Sequence, residues 1–519
     1  MTARTLMVQG TASSVGKSLV VAGLCRLFRR AGLRVAPFKS QNMALNAAVA
    51  ADGGEIGRAQ CVQAEAAGID ATVQMNPILL KPEGDARSQV VLLGRPWRTL
   101  SAAEYHAVKP ELRAMVRGCL DALRSRVDLV IIEGAGSPAE VNLKDRDIVN
   151  MDVAKAADAP VLLVGDIDRG GVFAAFVGTI ELLEPDERAR VAAFVFNKFR
   201  GDRALLEPGF ELLRARTGIP TLGVLPWLRD LGVADEDSVA LDDRRGRDPV
   251  AAGGELDVAV VRLPRVSNFD DFAPLEHEPG VRLRFVERPS DARGADLLVL
   301  PGTKSTLPDL AWLRATGFAD EVLARARRGE PVLGVCGGCQ MLGTRLEDPH
   351  GVESDERGAD GLGLLPLVTR FEREKLTARC RARAARAGFL APASDDVLQG
   401  YEIHMGTVAR TDGGPPAFAI HERNGVGCAV GDGAVSGDGA VVGTLVHGIL
   451  ENDPVRAALL GHLRARRSLP PRPVIPRAAA RDAAYDRLAR TIRDGLDWRA
   501  LCAIVGLDLP SPRFPEDSA

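Results

Sequence analysis

Short apolar runs alternate with helix-like segments along most of the chain, and this alternation limits the possible folds more strongly than any other feature. In the first half the runs are LMVQ near residue 6, DLVIIEG from 128, PVLLVGD from 160 and VAAFVFNK from 191. In the second half they are DLLVLPG from 296, PVLGVC from 331 and AVVGTLVHG from 440. Because buried parallel strands separated by helices form sheets covered on both faces, the sequence predicts a doubly wound α/β fold in each half.

Two breaks in the alternation predict the domain boundaries. With 519 residues, the chain exceeds the size at which one hydrophobic core stops growing. The stretch 235–256 is rich in charge and glycine and lacks periodicity, which is typical of a linker. A proline-rich stretch, SLPPRPVIPR, begins at 468 and precedes a helical pattern. We therefore predict domains at 1–245 and 256–467, then a proline-rich connection with a helical tail at 468–519.

The balance of charge and the cysteine content exclude several classes of protein. Sixty-six basic residues against 69 acidic ones give a formal charge of -3, without the basic excess that nucleic-acid binding needs. The amino terminus has no signal-peptide pattern, and no apolar run reaches membrane-spanning length. Eight mostly isolated cysteines are typical of a reducing compartment. We expect a cytoplasmic protein without nucleic-acid or membrane partners, and the sequence leaves its oligomeric state open.

The stretch VQGTASSVGKS leads from the first predicted strand into an amphipathic helix, as a phosphate-binding loop does. The backbone of such a loop, here from Gly10 and Thr11 to Gly16, surrounds phosphate groups at a helix amino terminus. Lys17 would neutralise the β- and γ-phosphate oxygens of ATP, and the Ser18 hydroxyl would bind magnesium. Five residues separate the two glycines where four are usual. A simple glycine turn into a helix is the alternative, but the flanking strand, the helix and the Lys-Ser pair favour ATP binding.

Charged residues elsewhere in the first half complete the predicted nucleotide site. Magnesium needs carboxylate ligands, and Glu133 ends the strand of DLVIIEG, at the edge where open α/β sheets bind ligands. Glu55, in GGEIGRAQ, is a candidate for a second carboxylate ligand beside Ser18. Lys39 and Arg169 are candidates to meet the negative charges of nucleotide or substrate. Each of these residues is also compatible with an ordinary solvated or loop position.

In the second half, Cys336 and Cys339 follow a predicted strand in PVLGVCGGCQML. A zinc site needs four ligands, and the remaining cysteines lack the spacing for a second cluster. A redox pair would fit the strand-to-helix position, but the Gly-Gly between the cysteines offers nothing to tune its potential. A single nucleophilic thiol is favoured, because GVCGG at 334–338 has the glycine pattern of a strand-turn-helix elbow. Cys339, one helical turn later, is expected to pack as a small hydrophobe.

A thiol at such an elbow needs a base and hydrogen-bond donors. Cys336 is mostly protonated at neutral pH unless the helix amino terminus and a histidine activate it. His447, directly after a predicted strand, is the candidate, with His404 in GYEIHMG as the alternative. The N–H of Gly337 and an N–H from the glycine loop LPGTKS, at Gly302 with its neighbouring threonine, are predicted to stabilise the oxyanion.

With these motifs assembled, the chain resembles the cobyric acid synthase family, the glutamine-dependent amide-forming enzymes of the cobalamin pathway. The stretches that carry the resemblance are QGTASSVGKS, PFKSQNMALN, DGGEIGRAQ, MNPILLKP, IIEGAGSPAEVNLKDRDIVNM, DIDRGGVFAA, NKFRGD, VRLPRVSNFDDF, LPGTKSTLPDL, GVCGGCQMLG, GYEIHMG and GTLVHGIL. The resemblance implies a P-loop domain of dethiobiotin-synthetase-like fold followed by a class I glutamine amidotransferase-like α/β domain. It also implies that Cys336 is the nucleophile and His447 its base.

Two positions depart from the expected pattern. Many class I amidotransferases have a glutamate two residues after the histidine, where this chain has Ile449, and Glu451 lies at the wrong spacing. The third member of the Cys–His arrangement is therefore left unassigned. The family often has tyrosine where this chain has Cys339, so the apparent CxxC is not a motif.

The resemblance implies a glutamine-hydrolysing carbon–nitrogen ligase. Ammonia released from glutamine at Cys336 would join a carboxylate that ATP, with Mg²⁺, has activated as an acyl phosphate. The implied substrate is a corrinoid polycarboxylate, adenosylcobyrinic acid a,c-diamide, amidated at its b, d, e and g side chains to give adenosylcobyric acid. Two alternatives remain: a cobyrinic acid a,c-diamide synthase, and a P-loop ATPase with an inactive amidotransferase-like binding module.

Overall fold

The chain folds into two units, each assembled from separate segments of the sequence. The computed structural model describes residues 2–83, 87–228, 232 and 255–514. The first unit contains the described residues within Met1–Met43, Ile56–Val233 and Arg481–Ala519, and the second contains those within Ala44–Glu55 and Ala234–Ala480. The predicted linker at 235–256 lies, except for its last two residues, outside the described part of the chain.

A six-stranded parallel sheet forms the centre of the first unit. Its strands, from one edge to the other, are Thr221–Pro226, Val191–Phe199, Val161–Asp166, Arg4–Gly10, Leu129–Glu133 and Val35–Phe38. Every ladder between them is parallel. The inner strands Leu129–Glu133 and Val161–Asp166 are buried along their whole length because helices cover both faces, which explains their continuous apolar sequences. The first half is therefore the doubly wound α/β unit that the sequence predicts.

Helices and a smaller sheet complete the first unit. Its α-helices are Lys17–Arg30, Arg58–Ala67, Ala102–Arg124, Met151–Ala157, Val172–Leu182, Pro185–Arg188, Glu207–Thr217 and Trp498–Ile504. Its 3-10 helices are Val73–Met75, Val141–Arg146 and Arg203–Leu206. The smaller sheet consists of the strands Gln41–Met43, Ile78–Pro82, Arg87–Leu92 and Arg95–Ser101.

The helix Lys17–Arg30, which follows the glycine loop, is covered by the carboxyl-terminal helix Arg477–Gly495. A Cβ on Gly23 would overlap the Ile492 side chain, so only glycine allows this close approach. Leu488 and Ile492 of this helix are both buried. The carboxyl-terminal segment from residue 481 is thus part of the core of the first unit.

The second unit is built on a second mostly parallel sheet. Its strands, in spatial order, are Val281–Val286, Leu256–Val261, Leu297–Leu300, Val332–Val335, Val441–Thr444 and Ala434–Val435, of which only the last pair is antiparallel. Leu256, Val258 and Val260 pack in one apolar cluster, and Ala259 and Val261 pack in another. The strand therefore has core on both faces, as a doubly wound sheet requires.

A long, mostly antiparallel sheet and several helices surround this second sheet. Its strands are Gly358–Asp360, Arg345–Glu347, Leu367–Ala384, Leu398–Arg410, Val446–His447, Phe418–Arg423 and Val426–Asp432, and only the ladder between Arg345–Glu347 and Leu367–Ala384 is parallel among those described. The α-helices are Ala273–Glu276, Pro289–Ala292, Thr306–Ala315, Phe318–Arg327, Gly337–Leu342 and Asp453–Arg466, and the 3-10 helices are Phe269–Phe272, Gly388–Ala393 and Ile449–Glu451. Two short strands, Ala47–Val49 and Glu55–Gly57, lie where the chain passes between the units. Within the described residues, no helix combines the length and apolarity needed to cross a membrane.

Candidate active sites

The glycine loop of the first unit needs its glycines for steric reasons. A Cβ on Gly10 would lie 2.6 Å from Val15 Cγ2 and 3.1 Å from Lys17 Nζ. Gly16 has a φ of +95°, and a Cβ there would overlap the amide nitrogen of Asn197. The Asn197 amide donates to the Val15 carbonyl over 2.8 Å and so supports the loop from a neighbouring strand. No sequence pattern marked Asn197, although it begins NKFRGD, one of the stretches that carry the resemblance.

The predicted phosphate-binding lysine lies inside this loop. Lys17, which is 7% exposed, donates through Nζ to the carbonyls of Ala12 at 3.0 Å and Gly136 at 3.2 Å. The Thr11 N–H donates to the Val164 carbonyl over 2.9 Å and continues the parallel ladder into the loop. The ammonium group is therefore held within the turn that the sequence assigns to phosphates.

A buried carboxylate at the end of the strand Leu129–Glu133 gathers the other predicted nucleotide-site residues. Ser18 Oγ and Lys39 Nζ each donate to Glu133 Oε1 over 2.8 Å. Gln63 Nε2 donates to the other oxygen, Oε2. The structure thus brings together Ser18 and Glu133, the two predicted magnesium ligands, and places Lys39 on the same carboxylate. It adds Gln63, which no pattern in the sequence marked.

Two other candidates of the first half have partners of their own. Glu55 belongs to the second unit, where its fully buried carboxylate accepts a hydrogen bond from Lys375 Nζ. Arg169 has a largely exposed side chain 3.8 Å from Asp166. Among the residues that the structure describes, no group of three or more His, Cys, Asp or Glu side chains is arranged to hold a metal ion.

In the second unit, the predicted elbow forms between the strand Val332–Val335 and the helix Gly337–Leu342. Cys336 stands at the turn with φ +50° and ψ -112°, a conformation that residues other than glycine rarely adopt. A Cβ on Gly334 would lie 2.5 Å from Leu342 Cδ1, and one on Gly338 would overlap the Leu300 carbonyl oxygen. Both glycines are therefore required for the turn that presents the thiol.

Cys336 Sγ donates to the Ile403 carbonyl over 3.8 Å, and the neighbouring imidazole is that of His447. Its Nδ1 lies 2.6 Å from Asp271 Oδ2, so the other ring nitrogen remains for the thiol. The second Asp271 oxygen accepts the Gly448 N–H over 2.8 Å. Burial by itself would lower the pKa of His447, but the charges of Asp271 and Cys336 raise it to about 10. The imidazole therefore keeps its proton at neutral pH.

Asp271 is a candidate functional residue that no sequence pattern marked. It lies 176 positions before His447, on the 3-10 helix Phe269–Phe272, and is buried. The only signal was its place in VRLPRVSNFDDF, a stretch quoted for the family resemblance. Glu451, which the sequence analysis left without a role, forms an ion pair with Arg477 at 3.1 Å.

The predicted oxyanion loop approaches the elbow. A Cβ on Gly337 would lie 2.6 Å from Thr303 Cγ2 and 3.2 Å from Thr303 N. One on Gly302 would lie 3.2 Å from His447 Cε1. The structure therefore brings both predicted glycines, with Thr303, to the side of the thiol and the imidazole.

The remaining two candidates of the second half are Cys339, expected to pack as a small hydrophobe, and His404, the alternative base. Cys339 is fully buried in an apolar cluster, and burial raises the pKa of its thiol well above the usual value. His404, the alternative base, lies 3.9 Å from Glu402.

Comparison with known proteins agrees with this division into two sites. Residues 6–239 match the model of the CobQ/CobB/MinD/ParA nucleotide binding domain, and residues 257–455 match that of the CobB/CobQ-like glutamine amidotransferase domain. A protein of Sorangium cellulosum named cobyric acid synthase is 63% identical over 98% of this chain and 100% of its own length. The chain belongs to the cobyric acid synthase family.

Further relatives of the same name support this membership. That of Moorella thermoacetica is 50% identical over 98% of both chains. That of Dehalococcoides mccartyi is 49% identical over 97% of this chain and 99% of its own. The solved structure of PurLQS from Thermotoga maritima matches at 18% identity, covering 40% of this chain and 99% of that one, with a TM-score of 0.32, which is too weak to bear on function.

Family membership confirms the resemblance inferred from the motifs. A P-loop nucleotide-binding domain is followed by a glutamine amidotransferase domain, as predicted. Lys17 and Glu133 lie within the matched nucleotide-binding range. Asp271, Cys336 and His447 all lie within the matched amidotransferase range.

Proposed function

We propose that this chain converts adenosylcobyrinic acid a,c-diamide to adenosylcobyric acid, using ATP and glutamine to amidate the b, d, e and g carboxylates. Family membership supports the choice of reaction and of a corrinoid substrate. The observation that carries the nitrogen-releasing half is the 2.6 Å contact between Asp271 and His447 beside the Cys336 elbow. The free thiols of all eight cysteines support a cytoplasmic location.

The thiol site supports hydrolysis of glutamine through a covalent intermediate. The Cys336 thiolate attacks the side-chain amide carbon, and the protonated His447 donates its proton to the departing ammonia. Water then attacks the glutamyl thioester while His447 accepts its proton, which releases glutamate and restores the pair. The N–H groups of Gly337 and of the Gly302–Thr303 loop would stabilise the oxyanion in both steps.

The nucleotide site supports activation of the acid that receives the ammonia. A carboxylate oxygen is a poor leaving group, so the carboxylate attacks the γ-phosphate of ATP to give an acyl phosphate and ADP. Ammonia then displaces phosphate to form the amide. In this scheme the glycine loop from Gly10 to Gly16 binds the phosphates, with Thr11 as its first residue, and Lys17 and Lys39 supply positive charge.

The residues beside the loop fit a magnesium ion by the nature of their donor atoms. The Ser18 hydroxyl and a Glu133 carboxylate oxygen are hard oxygen donors only 2.8 Å apart. Magnesium in nucleotide sites typically uses one or two carboxylates and keeps several water ligands. Ser18 and Glu133 would hold the ion, which would offset charge on the transferring phosphoryl group. Glu55 was the other predicted magnesium ligand, and its carboxylate accepts a hydrogen bond from Lys375.

The separation of the two half-reactions can be tested by changing the thiol alone. We expect Cys336→Ala to abolish glutamine-driven amidation while ammonium salt still supports it, because only nitrogen release needs the thiol. The measurement is mass spectrometry of corrinoid products after incubation with ATP and each nitrogen source. Cys339→Ala, three residues away in the same elbow, is the matched control and should use both sources.

Two results would contradict the proposal. Loss of ammonium-driven synthesis in folded Cys336→Ala protein would show that the half-reactions are not separate. Amidation of cobyrinic acid at its a and c positions, with the a,c-diamide left unchanged, would identify a cobyrinic acid a,c-diamide synthase instead.

A further inference from the structure

Tyr401 is the residue directly opposite His447 in the antiparallel sheet. The strands Leu398–Arg410 and Val446–His447 pair so that Tyr401 faces His447 and Glu402 faces Val446. Directly opposed residues of an antiparallel pair project their side chains from the same face. The register of this short ladder therefore places the tyrosine ring beside the imidazole.

The two rings are stacked. Their centroids are 5.3 Å apart and their planes differ by 16°. The next residue, Gly448, has φ +71°, and a Cβ there would lie 3.4 Å from Tyr401 Cε1. The tyrosine thus covers one face of the imidazole and leaves the ring edge to Asp271 and Cys336. An aromatic face also attracts a cation, which favours the protonated imidazole.

The tyrosine hydroxyl is held at two points. Asn268 Nδ2 donates to it over 3.3 Å, and the hydroxyl donates to the Ala47 carbonyl over 3.4 Å. Asn268 Oδ1 accepts the Ala47 N–H over 3.1 Å. Hydrogen bonds therefore link Tyr401, Asn268 and Ala47 to one another. Asn268 also precedes the 3-10 helix that carries Asp271, and its carbonyl accepts the Asp271 N–H over 3.0 Å. The turn at Asn268 therefore supports both Asp271, which contacts the imidazole Nδ1, and Tyr401, whose ring stacks on the imidazole.

The segment that contains Ala47 is itself fixed within the second unit. Arg379 donates to the Val49 carbonyl over 3.1 Å, and the buried Lys375–Glu55 ion pair ties down the other end of the segment. Both cations project from the strand Leu367–Ala384. Ala47 is therefore a fixed support for the tyrosine hydroxyl.

We propose that Tyr401 is a positioning residue for glutamine hydrolysis, whose stacked ring sets the plane of the His447 imidazole while Asp271 sets the direction of its nitrogens. The inference rests on the proposed roles of Cys336 and His447. Two constraints at different angles are needed, because a hydrogen bond at Nδ1 alone leaves the ring free to turn about that bond. A small tilt would move the second nitrogen away from the thiol, and such misplacement is costly for catalysis.

The test compares Tyr401→Leu, which removes the ring, with Tyr401→Phe, which keeps the ring and removes the hydroxyl. We expect the leucine variant to lower the kcat of glutamine hydrolysis about 10- to 100-fold with little change in KM. It should also slow the alkylation of Cys336 by iodoacetamide, followed by mass spectrometry of the peptide that contains residue 336. The phenylalanine variant should retain most of the activity and of the thiol reactivity. Ammonium-driven amidation should be unchanged in both.

Phe389→Leu is the matched control. It removes a buried aromatic ring that contacts another histidine of the second unit, His462, at a centroid distance of 5.8 Å. This variant should keep the wild-type kcat and alkylation rate.

Four outcomes would overturn the inference: a wild-type kcat in Tyr401→Leu, a rise in KM in place of the fall in kcat, an equal loss in Tyr401→Phe, or a parallel loss of ammonium-driven amidation. Failure of the proposed function has a different signature, because Cys336→Ala would then retain glutamine-driven synthesis whatever residue occupies position 401.

Discussion

At the scale of single residues, the chemistry depends on a thiol held in an unfavourable backbone conformation. A non-glycine residue at φ +50° and ψ -112° costs about 1–3 kcal/mol, so the surrounding fold must impose it. The packing around Gly334 and Gly338 does so, because neither position has room for a side chain. The neighbouring imidazole carries a positive charge at neutral pH, and the buried carboxylate of Asp271 is the largest influence that raises its pKa.

The carboxylate of Asp271 can be tested through the pH dependence of glutamine hydrolysis. Proton donation to ammonia needs protonated His447, so activity should fall as pH rises through the raised pKa of about 10. Asp271→Asn should lower kcat by at least about 100-fold and move this alkaline limb to lower pH. Steady-state kinetics from neutral to alkaline pH measures both effects.

The same pKa has a consequence for stability with a definite sign. Because folding raises the pKa of His447 from 6.5 to about 10, its protonation stabilises the fold fully below pH 6.5 and this contribution is lost as pH rises through 10. The Asp271→Asn variant should show less of this alkaline loss. If glutamine hydrolysis lost activity at the same alkaline pH in wild type and in Asp271→Asn, Asp271 would not be what keeps His447 protonated.

At the scale of secondary-structure elements, the elbow at Cys336 keeps its shape because the helix Gly337–Leu342 packs directly against the strand Leu297–Leu300. Gly338 on the helix Gly337–Leu342 lies against the last residue of the strand Leu297–Leu300. The loop after that strand is the one that approaches Cys336. The contact that shapes the turn therefore also sets the position of the oxyanion loop.

Gly338→Ala tests this contact. The added methyl group would overlap the Leu300 carbonyl oxygen, so helix and strand must separate, at a cost of about 1–3 kcal/mol in the free energy of unfolding. We also expect slower alkylation of Cys336. A denaturant titration measures the loss of stability, and mass spectrometry measures the alkylation.

Gly461→Ala is the matched control, since a Cβ there meets nothing within 4 Å in the helix Asp453–Arg466. It should be neutral or stabilising by up to about 1 kcal/mol. Equal stability of the two variants would refute the steric account of the elbow.

At the scale of the whole molecule, the chain returns after the second unit to complete the first. The returning helix buries Arg26 of the helix Lys17–Arg30, and Arg26 Nε donates to Asp486 over 2.7 Å. Arg30 forms an ion pair with the same carboxylate. The helix that begins at the phosphate-binding loop is thereby fixed by residues more than 450 positions away.

Asp486→Ala should destabilise the first unit strongly, because it leaves the Arg26 guanidinium buried with its main partner removed. The expected loss is about 3–5 kcal/mol in the free energy of unfolding, measured by urea titration followed by circular dichroism. Asp482→Ala is the control, since Asp482 also contacts Arg26 but its side chain is 60% exposed. Its loss should be much smaller. Similar losses in the two variants would show that burial of the pair does not govern its contribution.

Much of the fold and of both sites could be predicted because the relevant contacts are local. The glycine loop and the elbow are continuous stretches whose glycines, lysine and cysteine have backbone requirements visible in the residue types themselves. The placing of Glu133 at the ligand-binding edge of the sheet also followed, since it ends a parallel strand. Gln63 and Asn197 were missed because a neutral amide on a helix or strand has no periodic or steric signature.

The sequence by itself determined the α/β class and the two chemistries, and it predicted Cys336 as the nucleophile with His447 as its base, because each depends on a short segment with its own conformational demands. Only the tertiary structure decided that Asp271 completes the thiol site, that Glu55 pairs with Lys375 and that the carboxyl-terminal helix covers the phosphate-loop helix. These contacts join positions far apart in the chain. The physical reason is that they depend on how packed elements are oriented, and a buried charge finds its partner across space without any fixed spacing along the sequence.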